Sequence, residues 1–103
     1  MVVINWTLNS TISIDQIAEF IAVDSFHYAK KFVNDVFKKV KILETQPYVG
    51  KIVPELNKEN IRQLLFGKYR IIYHIKSEKE VDILTVHHSA RLLDTQSITI
   101  TEE

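Results

Sequence analysis

The sequence predicts an α+β domain, with an N-terminal strand, a helical hairpin and a three-stranded antiparallel meander that forms one twisted sheet. Two changes of pattern carry this prediction. Apolar residues recur at helical spacing between positions 14 and 43, and they alternate with polar residues from Ile61 to Arg91. Turn residues at Gly67-Lys68 and from Ser77 to Glu80 divide the second stretch into three strands.

The first elements are a short strand and a helix. Val2 to Trp6 is rich in β-formers, and Ser13-Ile14-Asp15-Gln16 fits a capping box that starts a helix. Ile12 and Ile17 stand where a hydrophobic staple would fix that start. The apolar face of this helix is predicted to hold Ile14, Ile17, Ala18 and Ile21.

A longer second helix is predicted from Phe26 to Thr45. Asp24-Ser25 reads as a break followed by an N-cap, and Pro47 ends the helix. Its apolar stripe consists of Ala29, Phe32, Val33, Val36, Phe37, Val40 and Leu43. The remaining positions carry Lys30, Lys31, Lys38, Lys39 and Lys41, which form a solvated face or a partner surface.

A polar connector from Tyr48 to Asn60 leads into the strands. In the middle strand, one face is expected to hold Tyr69, Ile71, Tyr73 and Ile75, and the other Arg70, Ile72, His74 and Lys76. The tail, residues 94–103, is weakly patterned, although Ile98 and Ile100 suit a small edge strand. We therefore treat residues 1–103 as a single domain.

Composition excludes several classes of function. The chain of 103 residues has no cysteine, so it has neither disulfides nor a thiolate metal site nor a cysteine nucleophile. No apolar run reaches the length of a membrane span, and the start, MVVINW, lacks the layout of a signal peptide. The formal net charge is zero and the pI is near 6.9, so any phosphate contact must come from local clustering of cations.

Such a cluster of cations is predicted on the sheet. The spacing of the basic residues lets the strands bring most of them together on a face that suits an anionic partner. They are Arg62, Arg70, His74, His87, His88 and Arg91. His87 and His88 point to opposite faces if one strand continues through both, which argues against a metal site at this pair.

The order of these elements resembles the RelE/ParE superfamily of type II toxins, which includes plasmid stabilisation proteins. The resemblance runs from about Trp6 to Leu93. The residues that carry it are Ala29 and Phe32, Pro47-Tyr48-Val49-Gly50-Lys51, Val53-Pro54-Glu55-Leu56, Ile61-Arg62, Tyr69-Arg70-Ile71-Ile72-Tyr73, Ile83-Leu84-Thr85-Val86-His87-His88 and Arg91.

The resemblance implies a small cytoplasmic toxin that needs no cofactor and is neutralised by a cognate antitoxin. Relatives resembling RelE cleave mRNA on the ribosome, whereas relatives resembling ParE poison DNA gyrase and cleave no RNA. The Pro-x-x-Gly-Lys segment, the Val-Pro-Glu stretch and the His-x-x-x-Arg-Leu ending look more like the ParE side. The resemblance implies no membrane contact.

If the chain is a nuclease, the resemblance implies roles for particular residues. Arg70 matches the arginine that stabilises phosphate, while Arg62 and Arg91 fall near further basic positions. No tyrosine follows Tyr73, so the late tyrosine of RelE-like nucleases has no counterpart. His87 or His88 would then have to exchange the proton near neutral pH.

Each of these residues also has a structural interpretation. Arg70 suits a surface strand arginine paired with Glu or Asp, and Arg62 suits an exposed strand arginine. Arg91 suits an anchor that holds the tail through a carboxylate, and His74 suits a surface neighbour of Arg70. Three hypotheses therefore stand: a toxin that binds gyrase or another protein, a ribosome-dependent mRNA endonuclease, and a non-toxic module that retains the fold. The missing tyrosine and the neutral pI favour the first or the third.

Overall fold

The computed structural model describes residues 1–95 and residue 98, and it confirms the predicted α+β class. Two helices pack on one face of a mixed sheet with strand order β1-β5-β4-β3-β2. The elements are β1 (Val3–Trp6), α1 (Leu8–Ala22), α2 (Phe26–Val40), a 3₁₀ helix (Lys41–Glu44), β2 (Lys51–Ile52), β3 (Ile61–Phe66), β4 (Tyr69–Ile75) and β5 (Glu80–His88). The two-residue β2 within the predicted connector is an addition to the predicted strands. Ile98 is in no strand, and Ile100 lies outside the described residues.

α1 begins earlier than the capping box predicts. The N-cap is Thr7, whose Oγ1 accepts a hydrogen bond from the backbone N–H of Ser10 at 3.2 Å. Ser13 lies inside the helix, where its hydroxyl donates to the Ser10 carbonyl and accepts from the backbone N–H of Val86. The capping-box prediction was therefore wrong, and Ser13 links the helix to β5 instead.

α2 begins where the sequence predicts. Ser25 caps it by accepting from the backbone N–H of Tyr28 at 3.1 Å. The α-helix ends at Val40, and the remainder of the predicted span tightens into the 3₁₀ helix. The stripe residues buried against the sheet side of the molecule are Ala29, Phe32, Val36, Val40 and Leu43, while Val33 is half-buried and Phe37 is exposed.

The predicted meander forms with the predicted turns. Gly67 has a φ of 56°, a conformation that glycine adopts without the strain of a side chain, at the two-residue turn between β3 and β4. β5 follows antiparallel to β4, with an irregularity in the register between Ile72 and Tyr73. β1 pairs in parallel with β5, from Val3 opposite Glu80 to Trp6 opposite Ile83, which makes the sheet mixed.

The sheet is covered on both faces. The main core lies between the helices and the sheet and joins Phe32 and Val36 to Ile71, Tyr73 and Ile83. A smaller core on the opposite face consists of Val53, Ile61, Ile72, Leu84 and Leu93, with Leu56 and Ile98 packed against it. The predicted division of the middle strand between two faces is confirmed, but its second face is buried by the connector and by the residues after β5.

Neither α1 nor α2 could cross a bilayer. In the described part of the chain, no helix combines the length and the apolar composition that a membrane span requires.

Candidate functional site

Arg70 lies on β4, the central strand of the sheet, on the face that the helices do not cover. Its Nη1 donates to Glu55 Oε1 at 2.9 Å, and its Nη2 donates to Glu55 Oε2 at 2.8 Å. Nη1 also donates to Gln63 Oε1 at 3.0 Å. Only 8% of Arg70 is exposed, so its charge is neutralised within the protein by a bidentate ion pair.

Glu55 reaches Arg70 from the connector that crosses this face. The hydrogen bonds from Arg70 hold the pKa of the Glu55 carboxyl below its usual range, although partial desolvation opposes the shift. The carboxylate is therefore ionised at neutral pH and keeps the guanidinium occupied.

His87 is the strand neighbour of Arg70. The two residues are directly opposite each other in the pairing of β4 with β5, so their side chains share a face. His87 Nε2 lies 2.9 Å from the backbone carbonyl oxygen of Arg91. Because a carbonyl oxygen only accepts, Nε2 carries the proton in this arrangement.

Arg91 lies on the rim of an open cleft of about 680 Å³ on the same face. The cleft is also lined by Glu55 and Arg70 and by the exposed turn after β5. Arg91 is itself exposed, so it presents a cation to solvent near the internally paired Arg70.

The other candidate residues lie elsewhere. Arg62 pairs with Tyr73 and therefore lies on the opposite face from Arg70. It holds a loop, with Nε donating to the Glu59 carbonyl at 2.9 Å and Nη1 to the Gly50 carbonyl at 3.0 Å. The ring of Tyr48 lies 5.0 Å from the guanidinium carbon. The prediction that the sheet gathers most of the cations is wrong for Arg62.

The two remaining candidate histidines, His88 and His74, each contact a neighbouring side chain. His88 lies on the helix side, where its ring meets the edge of Tyr69 at a centroid distance of 5.4 Å. His74 shares the face of Arg70 but is buried, with Nε2 accepting from the side-chain amide of Asn60 at 3.1 Å. The interpretation of His74 as a surface residue is therefore wrong.

The Pro47-to-Gly50 loop is fixed by a buried phenol. The Tyr73 hydroxyl donates to the Pro47 carbonyl at 2.7 Å and accepts from the backbone N–H of Gly50 at 3.0 Å. Burial raises the pKa of Tyr73, so the phenol keeps the proton that it donates. This motif therefore has an architectural role, and it presents Tyr48 and Val49 on the surface.

The chemistry available at this face is limited. Cleavage of RNA through its 2′-hydroxyl needs a base, an acid and cations that are free to meet the developing charge. Arg70, His87 and Arg91 come together here, but Arg70 is committed to Glu55. Within the described residues, no group of His, Asp or Glu side chains is arranged to hold a metal ion.

Two further surface grooves are candidate binding regions. One lies between α1 and α2, has a volume of about 430 Å³ and is lined by Asp15, Ala18, Glu19, Ala22, Phe26, Ala29, Lys30, Val33 and Asn34. The other lies beside β2 and β3, has a volume of about 510 Å³ and is lined by Lys38, Lys39, Ile42, Val49, Gly50, Lys51, Gln63, Leu64 and Leu65. Apart from the lysines of its helical wall, no pattern in the sequence predicts the second groove.

Comparison with known proteins agrees with this architecture. A family model described as the ParE toxin of the type II toxin-antitoxin system parDE matches residues 4–93. A solved structure from the chromosomal ParDE TA system of P. aeruginosa matches with a TM-score of 0.71 and 23% sequence identity, and the match covers 85% of this chain and 96% of that one. A search of curated protein sequences found no significant match.

Proposed function

This chain belongs to the ParE toxin family of type II toxin-antitoxin systems, and from that premise we propose that it arrests growth by binding a protein target in the cytoplasm. DNA gyrase is the preferred target, in keeping with the ParE branch. A cognate antitoxin neutralises the toxin by covering its exposed surface.

The state of Arg70 is the observation that supports a mechanism without RNA cleavage. A guanidinium that stabilises a transition state has to be free to meet the phosphate. Arg70 is 8% exposed and forms a bidentate ion pair with Glu55. Arg62, the second candidate cation, is engaged on the other face. The engagement of these two arginines supports the proposal that the chain acts without cleaving RNA.

Exposed apolar side chains support the antitoxin as a partner. Phe20, Val23 and Phe26, at and around the turn between α1 and α2, are at least 70% exposed. Large exposed apolar groups close together mark protein interaction sites. Antitoxin segments that fold on binding are suited to cover such surfaces, either across the helical hairpin or at the sheet edge.

Inducible expression with and without the neighbouring small open reading frame tests this function. We expect growth arrest that the neighbour prevents, together with an induced DNA damage response and intact mRNA. Purified gyrase provides the direct assay, in which the toxin should trap cleaved DNA. Free expression at high level without arrest, combined with failure to co-purify with the neighbour, would contradict the toxin function and favour a non-toxic module.

A ribosome-dependent mRNA endonuclease is the second candidate. The observation in its favour is that Arg70, His87 and Arg91 lie on one face beside a cleft. In that case Arg70 and Arg91 would be catalytic cations, His87 or His88 would transfer the proton, and Arg62 would act only after leaving its loop.

Ribosome toeprinting on a defined mRNA separates the two mechanisms. We expect no cleavage in the ribosomal A site by the wild-type protein. Sharp cuts that disappear in Arg70→Ala, with the variant still folded by circular dichroism, would establish the nuclease instead. The loss would then amount to roughly 100-fold or more in rate.

A further inference from the structure

We propose that the groove beside β2 and β3 binds a short acidic segment that carries aliphatic side chains, and that the antitoxin supplies this segment. The identity of the partner rests on the proposed function. The groove itself is defined by the residues that line it, from Lys38 and Lys39 on α2 to Lys51 on β2 and Leu65 on β3.

The charge of the groove selects the chemistry of its occupant. Lys38, Lys39 and Lys51 line it and are exposed, and none of the residues that line it is acidic. The groove between α1 and α2, by contrast, contains Asp15 and Glu19 as well as Lys30. A groove lined by lysines without acidic residues favours an acidic partner and repels basic ones, so this groove discriminates by charge where the hairpin groove does not.

Aliphatic side chains between the lysines provide apolar contact. Ile42, Val49 and Leu65 line the groove and are exposed by 39%, 46% and 54%. A segment made only of acidic residues would leave these groups in water. The combination fits a segment in which acidic and aliphatic residues alternate or cluster, because it buries the apolar surface while its carboxylates meet the lysines.

An open strand edge runs along the same groove. β2 pairs only with Arg62 and Gln63 of β3, so Leu65 has no strand beside it on that side within the described residues. In a two-residue hairpin, the residues on either side of the turn exchange backbone hydrogen bonds, and here they are Phe66 and Tyr69. Because hydrogen-bonded and non-hydrogen-bonded pairs alternate along the strands, the N–H and C=O of Leu65 point away from β4. The carbonyl of Ile61, four residues before Leu65 on β3, points to the same side, because it accepts a hydrogen bond from the backbone N–H of Val53. Leu65 therefore offers one donor and one acceptor to a bound segment.

Hydrogen bonds to the sheet hold the wall of the groove. Gly50, between Val49 and Lys51, donates its backbone N–H to the Tyr73 hydroxyl and receives a bond from Arg62 on its carbonyl. Both partners belong to the sheet, so the loop that carries Val49 and Lys51 is held in place. A preformed wall lowers the entropy lost on binding and favours tight association.

The test compares three variants in binding to the antitoxin purified from the neighbouring open reading frame. The first two replace Lys38, Lys39 and Lys51 with Gln or with Glu. The control replaces Lys58, Lys68 and Lys79 with Glu, which matches the change in net charge at exposed lysines outside the groove. Glutamates in the last turn of α2 would destabilise the helix itself. The Gln variant removes the lysine charges without adding acidic groups, so it controls for that effect.

We expect both groove variants to weaken antitoxin binding by roughly 10- to 100-fold, with a smaller loss at raised salt, and the control to bind like the wild type. Growth arrest by the free groove variants should persist. In hydrogen exchange followed by NMR, the amide of Leu65 should exchange more slowly in the wild-type complex than in the free toxin.

Three results would overturn the inference while leaving the proposed function intact. They are unchanged binding by the groove variants, an equal loss in the control variant, and retained antitoxin binding with lost growth arrest, which would assign the groove to the target. An unprotected Leu65 amide would remove the strand-edge contact from the proposal. Failure of the wild-type protein both to arrest growth and to bind the antitoxin would overturn the proposed function as well.

Discussion

Gly50 shows how one residue without a side chain allows a loop to approach the sheet. A Cβ at this position would lie 2.5 Å from the Tyr73 hydroxyl and 2.6 Å from the backbone carbonyl oxygen of Gln63. The Gln63 carbonyl belongs to β3 and the phenol is buried, so neither can move aside cheaply. The glycine is therefore required by close packing.

We expect Gly50→Ala to lower the free energy of unfolding by about 1–3 kcal/mol, because the methyl group displaces the loop and its hydrogen bonds. Urea denaturation followed by circular dichroism measures the change. Gly67→Asn is the matched control, since Gly67 has open space around it and asparagine tolerates its positive φ. Equal losses in the two variants would indicate that the need for glycine at position 50 comes from backbone conformation and not from close contact with Tyr73.

Glu55 makes stability depend on pH in a defined direction. Its pKa is lower in the folded protein than its ordinary value of 4.5, chiefly because Arg70 donates hydrogen bonds to it. The stabilisation is therefore complete above about pH 4.5 and is lost as the pH falls through the lower pKa of the folded state.

We expect Glu55→Gln to lower stability at pH 7 by roughly 1–3 kcal/mol, because Arg70 keeps its burial but loses a charged acceptor. The difference between variant and wild type should shrink as the pH is lowered through about 4.5 and then through the lower pKa of Glu55 in the folded protein. Urea midpoints across this range measure it. Glu59→Gln, an exposed carboxylate on the same connector, serves as the control. A constant difference across the range would contradict the ion-pair explanation.

At the scale of the elements, α2 holds the main core through one stripe. Phe32 is 8% exposed and meets the ring of Tyr69 at 5.2 Å, whereas Phe37 is 46% exposed and lies against Trp6 at the sheet edge. Both residues belong to the apolar stripe predicted from the sequence. The two phenylalanines of the stripe are therefore buried to different extents.

We expect Phe32→Ala to cost about 3–5 kcal/mol, since it leaves a cavity beneath the helix. Phe37→Ala should cost about 1 kcal/mol, because much of its ring is already in water. Thermal and urea denaturation of the two variants measure the difference. Similar costs for both would mean that the register assigned to α2 is wrong.

The sequence predicted those elements whose signals are local. The meander follows from alternation and from Gly67, and α2 follows from its stripe and from Ser25. The sequence predicts a late start for α1 because Ser13 fits a capping box, whereas the actual N-cap, Thr7, has no Glu or Gln three residues later. β2 is only Lys51–Ile52, too short to show alternation.

The wrong placement of Arg62 concerns which side chains of the paired strands point to the same face of the sheet. With a two-residue turn at Gly67-Lys68, even-numbered residues of β3 stand opposite odd-numbered residues of β4. Arg62 therefore shares a face with Tyr73, not with Arg70, and the sequence already contained that information. The partner of Arg70 could not be read in the same way, because Glu55 belongs to an irregular connector whose path depends on tertiary packing.

At the scale of the whole molecule, a bound antitoxin is expected to change the stability of the toxin. A partner that binds only the folded state stabilises it by RT ln(1 + [L]/Kd), which is about 4 kcal/mol at a free concentration of 1,000 Kd. Differential scanning calorimetry should therefore give a midpoint that rises with antitoxin concentration. A midpoint independent of that concentration would contradict tight binding to the folded toxin.

The parallel pairing of β1 with β5 joins positions 77 residues apart, from Val3 to Glu80. During translation, β1 is made 77 residues before the strand with which it pairs. At roughly 5–20 residues per second, the wait amounts to about 4–15 s. Throughout that interval β1 has a free edge and no neighbour. The nascent chain thus cannot complete its sheet, or any binding surface that depends on it, until β5 has been made.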